Sequence, residues 1–334
     1  MMKQYFPHWY KKFFCIADKC PDSCCKEWDV VVDDISYERY RKVDTPFGKK
    51  LNEVMTIDGD GDRIFTLQNG RCPFWNKDCL CDIYINLGEV ALCETCRRFP
   101  RIVMGYADRE EHILSFACPE AARIMLEEKD IFTFESSDDG RAEEACEYDS
   151  DFMEFLRIAR DKILAIFSDK TRDLNAKMQS FFEFSESLSI ELYGRSYICR
   201  NLDREKALNI LSELEIMTDE WKTMLAKAQQ AKISEADVKA FEAFAKPFEY
   251  EFENLAFYYI YRYFCNAVAD EDITFCINSL LLAYLSIFTL ECAEYKQNGE
   301  LDFDRRVRIF QLYSKEVEHS FENIERLENC FNLL

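Results

Sequence analysis

The stretch 118–128, CPEAARIMLEE, is where this chain changes character. Proline at 119 suits the first turn of a helix, where its missing N–H would have no partner anyway, and the residues after it continue the helix. An acidic polar run follows, SSDDGRAEE (136–144). From Asp149 onward, Phe152, Phe155, Leu156, Ala159, Ile163 and Ile166 recur at the spacing of one buried helix face. Working backward, six of the seven prolines lie at or before Pro119, as do most of the glycines. Working forward, Pro247, Gly140, Gly194 and Gly299 are all that remain. The first part therefore reads as loops and short elements, and the rest as helices. Helices are predicted near 173–193, 203–216, 219–231, 235–246, 250–269, 272–297 and 303–330. Ser234 with Asp237 marks a capping-box start, and Pro247 a stop. The expected fold is mainly α: an irregular, Cys-rich α+β metal-binding region (1–125), a polar linker or loop (126–147), and an all-α helical bundle (148–334).

With 334 residues and 48% hydrophobic content, the chain can bury a sizeable core. Its net charge is −21. Residues 1–120 carry only −3 of this and residues 121–334 the other −18. Such acidity argues against a nucleic-acid backbone or an anionic membrane as partner and favours a cationic one, such as a lysine-bearing protein. The uncharged run 273–290 is long enough to be weighed as a membrane span. It contains Asn278, has acidic flanks and lacks a basic cluster, which predicts a buried helix instead. The opening MMKQYFPHWYKKFFCIADKC does not read as a secretory leader, so a cytoplasmic chain is expected.

Sixteen cysteines are then unusual, because disulfides are disfavoured in that compartment. Ten lie between Cys15 and Cys118, in four blocks: FCIADKCPDSCCKEWDVVVD (14–33), RCPFWNKDCLCDIY (71–84), LGEVALCETCRRFPR (87–101) and SFACPEAAR (115–123). Thiolates are soft ligands for zinc or for iron–sulfur clusters, and His8 and His112 are the histidines nearby. Cys20, Cys72 and Cys118 each precede a proline, which holds them extended. The spacing is not that of a zinc ribbon, and adjacent Cys24 and Cys25 suit one zinc poorly, but both metals stay open. The lone cysteines 146, 199, 265, 276, 292 and 330 read as small buried hydrophobes. No Gly-rich nucleotide loop is present, and DGDGD (58–62) reads as a polar turn rather than a calcium loop.

The four blocks, in this order, resemble the N-terminal region of FliB-type flagellin lysine N-methylases. The resemblance implies a [4Fe–4S] protein that methylates lysine ε-amines of flagellin, with S-adenosylmethionine as methyl source. The positions matching the family are Cys15, Cys20, Cys24, Cys25, Cys72, Cys81, Cys96 and Cys118, whereas Cys79 and Cys93 stand outside its pattern. Eight thiols exceed the four that one cubane needs. Cys20-x-x-x-Cys24 begins like a radical S-adenosylmethionine motif, but Glu27 occupies the third position, so a radical step does not follow. Trp28, Trp75 and Tyr84 are candidates to face a sulfonium, and Arg97, Arg98 and Arg101 to pair a carboxylate or donate to cluster sulfides. The alternatives are a non-enzymatic zinc- or iron-chelating module and a structural zinc protein whose helices bind a partner.

Overall fold

The structure, a computed structural model, describes residues 1–59 and 61–332. Its first part carries β1 (Lys3–Pro7), β2 (Val30–Val31), α1 (Asp34–Arg41), α2 (Pro46–Glu53), β3 (Met55–Ile57), β4 (Arg63–Phe65), α3 (Asp82–Leu87), α4 (Glu94–Arg98), β5 (Arg101–Gly105), β6 (Arg109–Leu114), α5 (Pro119–Glu127) and β7 (Phe134–Asp138). The remainder is helical: α6 (Ser150–Ser168), α7 (Leu174–Tyr193), α8 (Arg204–Glu213), α9 (Asp219–Gln230), α10 (Glu235–Ala245), α11 (Tyr250–Tyr263), α12 (Ala267–Asp270), α13 (Thr274–Asn298), α14 (Phe303–Glu318) and α15 (Phe321–Phe331). The chain is mainly α, with two small sheets confined to the part before residue 139.

Local chemistry accounts for most helix ends. Asp149, Asp173, Asp203, Thr218, Ser234, Asp302 and Ser320 each cap a helix by accepting from a first-turn N–H. Ser234 and Asp237 form the full reciprocal box. Gly194 and Gly299 end α7 and α13 in the left-handed conformation. Two predicted helices are divided in the fold. The span 250–269 passes through a short 3₁₀ turn at Phe264–Asn266. The span 303–330 breaks at His319, where Ser320 caps a new helix and turns the chain. The apolar pattern runs through both breaks, so periodicity alone hides them.

The larger sheet has the order β5-β6-β1-β7, with β1 parallel to β6 and antiparallel to β7. The polar stretch expected as a linker therefore supplies a strand. Its register, Lys3↔Asp138 to Pro7↔Phe134, pairs backbone groups of β1 that would otherwise form a free edge. The second sheet, β2-β4-β3, stands apart. The polar turn at 58–62 joins β3 to β4 and is closed by the Asp62 N–H donating to Asp58 at 2.8 Å; Asp60 lies outside the described residues.

One core runs from Trp9, Phe13 and Phe116 through α5 and the whole bundle. A smaller one, around Val30, Tyr40, Leu51, Phe65 and Phe74, belongs to the excursion between β1 and β5. The buried Arg160–Glu111 pair, two hydrogen bonds of 2.5 and 2.8 Å, ties α6 to β6. The apolar helix α13 sits at the bundle centre against α8, α9, α10, α11 and α14. Of its most apolar eighteen-residue window, 83% is buried inside the protein, as expected for a core helix.

Candidate metal centre

Short polar turns shape the first Cys block. Asp22 Oδ1 accepts from the Ser23 N–H at 2.8 Å, and Ser23 Oγ accepts from the Cys25 N–H at 3.0 Å. The Trp28 indole N–H donates to the Cys24 carbonyl at 2.9 Å and closes the loop. The second block is joined to it by the Cys72 N–H donating to the Cys25 carbonyl at 2.7 Å. Asn76 Oδ1 accepts from the Asp78 and Leu80 N–H groups, making the turn that leads to Cys81. Asp33 fastens the third block: its two oxygens accept from the Ser36 and Glu94 N–H groups, both at 2.8 Å.

Cys81, Cys93 and Cys118 occupy the residue just before α3, α4 and α5 respectively. First-turn N–H groups reach the Cys81 and Cys118 sulfurs, which favours the thiolate. Burial opposes this and prevails, pushing Cys118 up to about 12. Burial also pushes Cys72 up to about 12. Cys25 goes the other way, lowered to about 7 by its hydrogen bond with Cys24. Cys93 is likewise lowered by its hydrogen bond with Cys96. The hydrogen bond in each pair thus favours proton loss from one thiol over its partner.

Nine of the ten N-terminal cysteines come within electrostatic reach of one another. Cys15 lies near Cys20, Cys24 and Cys118. Cys25 lies near Cys72, Cys81 and Cys96, and Cys93 contacts Cys96. Cys24 is an exposed residue overall, yet its thiol is crowded by Cys25, Cys118 and Cys15. Cys79 stays outside the group, exposed on a residue of positive φ. Among the described residues no three of Cys, His, Asp or Glu stand at the spacing of a single metal ion. The donor set is nonetheless wholly sulfur, the type that suits zinc or iron–sulfur clusters.

Helix α14 holds this site against the bundle. Arg308 donates to Asp22 at 2.8 Å, Gln311 at 3.1 Å, and Lys315 at 3.2 and 3.4 Å. These residues are three and four apart, so they share one face of the helix. Gln311 also donates to the Ala117 carbonyl at 2.9 Å, so it joins the Cys20–Cys24 loop to the residue before Cys118. Lys315, fully buried, reaches Glu27 at 2.8 Å as well. Burial alone would raise the Asp22 carboxyl, but Lys315, Lys26 and Arg308 hold it well below the ordinary carboxylate range. Just beyond α14, His319 lies 5.2 Å from the Trp28 ring and 3.0 Å from Ser115 Oγ. Burial pushes this imidazole down to about 4, so it is neutral at pH 7.

Of the residues weighed for cofactor contact, Trp28 lies at this junction, packed on Phe99 and His319, with Lys315 5.1 Å from its ring. Trp75 is stacked by the Arg71 guanidinium at 3.9 Å. Tyr84 and Arg97 are exposed. Arg98 pairs with Glu94 on the surface at 2.7 Å, and Arg101 reaches the Phe13 carbonyl at 3.5 Å. Asp22, Lys315 and His319 enter the site without having been singled out from the sequence, as does Cys93, which stood outside the family pattern. The Cys93-x-x-Cys96 spacing points to the last, and nothing local points to the others.

A family model described as the FliB lysine N-methylase C-terminal domain matches residues 134–333. Among individual proteins, the Lysine-N-methylase of Salmonella typhimurium is 29% identical over 136 residues, covering 37% of this chain and 32% of that protein. The Flagellar biosynthetic protein FliU of Salmonella muenchen is 29% identical over the same length, covering 37% of this chain and 77% of that protein. The Lysine-N-methylase of Salmonella choleraesuis matches at 29% too. The chain spans about a third of the length of both lysine N-methylases, 32% in each case. No solved structure matches it.

Proposed function

The chain belongs to the FliB lysine N-methylase family, and from that premise we propose that it methylates lysine ε-amines of a protein substrate, flagellin, using an iron–sulfur cluster and S-adenosylmethionine. The observation that carries the reading is the gathering of thiols from all four Cys blocks, with the first and fourth blocks tied to one helix of the family's C-terminal domain. Cys15, Cys20, Cys24, Cys25, Cys72, Cys81, Cys96 and Cys118, with Cys93, would supply the sulfur ligands. Bound S-adenosylmethionine supplies the methyl group.

The chain's own residues do the rest. The acidic surface attracts a lysine-bearing segment. Glu27, partly exposed beside the Cys24–Cys25 loop and held by Lys315, offers a carboxylate to the arriving ammonium. Trp28 and Phe99 pack edge to face at the junction and offer an apolar surface to the lysine stem. Neutral His319 adds no further positive charge beside Lys315. Desolvation lowers an ammonium pKa, which favours the free amine that methyl transfer requires.

The test is methyl transfer from a labelled donor to flagellin with anaerobically purified protein, together with iron and sulfide analysis. Label on flagellin lysines is expected, with both label and iron lost in Cys24→Ser. Iron and sulfide without methyl transfer would leave a metal-binding module. Stoichiometric zinc without sulfide would remove the iron–sulfur part of the reading.

A further inference from the structure

Nine thiols are more than one centre requires, and they are not spread evenly. Cys72 and Cys93 are buried in the small core around Val30, Phe65 and Phe74, with Cys25, Cys81 and Cys96 packed on it. The Cys25 carbonyl takes the Cys72 N–H at 2.7 Å, so this inner group is bound together through its backbone as well. Cys118 belongs instead to the large core that includes the bundle. Gln311 bridges its neighbour Ala117 to Asp22, which draws Cys20 and Cys24 to the Cys118 side. Cys15, Cys20 and Cys24 are near Cys118 in charge terms too, and Cys24, hydrogen-bonded to Cys25 and within reach of Cys96, marks the boundary between the groups. The only adjacent pair, Cys24–Cys25, stands where the two groups meet.

The groups differ in setting. The outer four include exposed Cys15 and Cys24, and the loop between Cys20 and Cys24 is tied to α14 through Asp22. The inner five sit in a part of the chain whose own core is small, where a metal serves as a staple.

We propose that the chain holds two separate thiolate centres for soft metals: an outer one on Cys15, Cys20, Cys24 and Cys118, and an inner, structural one on Cys25, Cys72, Cys81 and the Cys93/Cys96 pair. Adjacent Cys24 and Cys25 then serve different centres, which removes the difficulty of placing both on one ion. Metal binding then couples occupancy to folding of residues 25–98. The identity of the metal in the outer centre rests on the iron–sulfur reading above; the number of centres does not.

Metal and sulfide per chain, measured on anaerobically purified full-length protein, test this directly. The expected total is that of two centres, either two clusters or one cluster and one zinc. Cys118→Ser should remove one complement and leave the other, with helical circular dichroism retained; exposed Cys15→Ser should do the same should Cys118→Ser prove insoluble. Cys72→Ser should release the second complement and expose residues 25–98 to protease. A wild-type content fitting one centre overturns the proposal, as does loss of all metal from a folded outer-group variant. Two complements of zinc and no sulfide would retire the iron–sulfur reading and leave the two-centre arrangement standing.

Discussion

Replacing Lys315 by Met tests whether α14 anchors the first Cys loop. The ammonium is fully buried and serves Asp22 at 3.2 Å and Glu27 at 2.8 Å. Removing one partner of a buried ion pair costs about 3–5 kcal/mol when the other charge is stranded. Here the stranding is incomplete. Asp22 keeps Arg308 and Lys26, both at 2.8 Å, and Gln311 at 3.1 Å. Glu27 keeps Lys26 at 3.5 Å, and 24% of its side chain is exposed to water. Methionine also preserves most of the apolar stem. The expected loss is therefore about 2–3 kcal/mol, at or below the lower end of that range. Asp22→Asn should cost more, about 3–5 kcal/mol, because it leaves the buried Lys315 with Glu27 alone and strips Arg308 of one partner. The double variant should fall short of the sum by about 2 kcal/mol, since both ends of one contact are gone. Urea unfolding under anaerobic conditions gives each value from midpoint and slope. A Lys315→Met loss below about 0.5 kcal/mol, the level of an ordinary surface change, or singles that add without coupling, would refute the anchoring argument.

Acid sensitivity should trace in part to His319. Its folded value lies near 4, below the ordinary value of 6.5, so between these the unfolded chain binds a proton that the folded one refuses. Stability then falls as pH drops through that window, by up to about 3 kcal/mol, and His319→Gln should flatten the fall; an unchanged slope between pH 7 and 4.5 contradicts the assignment. Phe241→Ala empties a fully buried site packed on Phe288 and Tyr295, and should cost about 3–5 kcal/mol with no change in metal content. Cys292→Ser, buried in the bundle, should likewise leave metal content at wild-type level while costing about 1–3 kcal/mol for an unpaired hydroxyl; metal loss there would place the bundle cysteines in the site.

Much of the bundle was legible because helix signals are local. Asp173, Ser234 and Gly299 act through neighbours within one turn, so reading them needs no knowledge of the rest of the fold. The break at His319 was not legible: it follows from Ser320 Oγ accepting from Asn323 while Asn323 also reaches the Glu215 and Glu316 carbonyls. The strand β7 was hidden for a related reason, since FESSD has little apolar alternation and forms only because β1 offers an edge.

By itself the sequence determined that the N-terminal thiols fall in four blocks, a donor type that suits a soft metal, and that the acidic remainder would be a helical bundle. Composition, residue spacing and local capping suffice for both. Only the tertiary structure decided which thiols meet, because the Cys118 and Cys20 segments are brought together by Gln311, nearly two hundred positions beyond the first and nearly three hundred beyond the second. It also decided that Lys315 is a buried anchor rather than one more solvated charge. A lysine reads the same in either role until the carboxylates of Asp22 and Glu27 are folded against it and water is excluded.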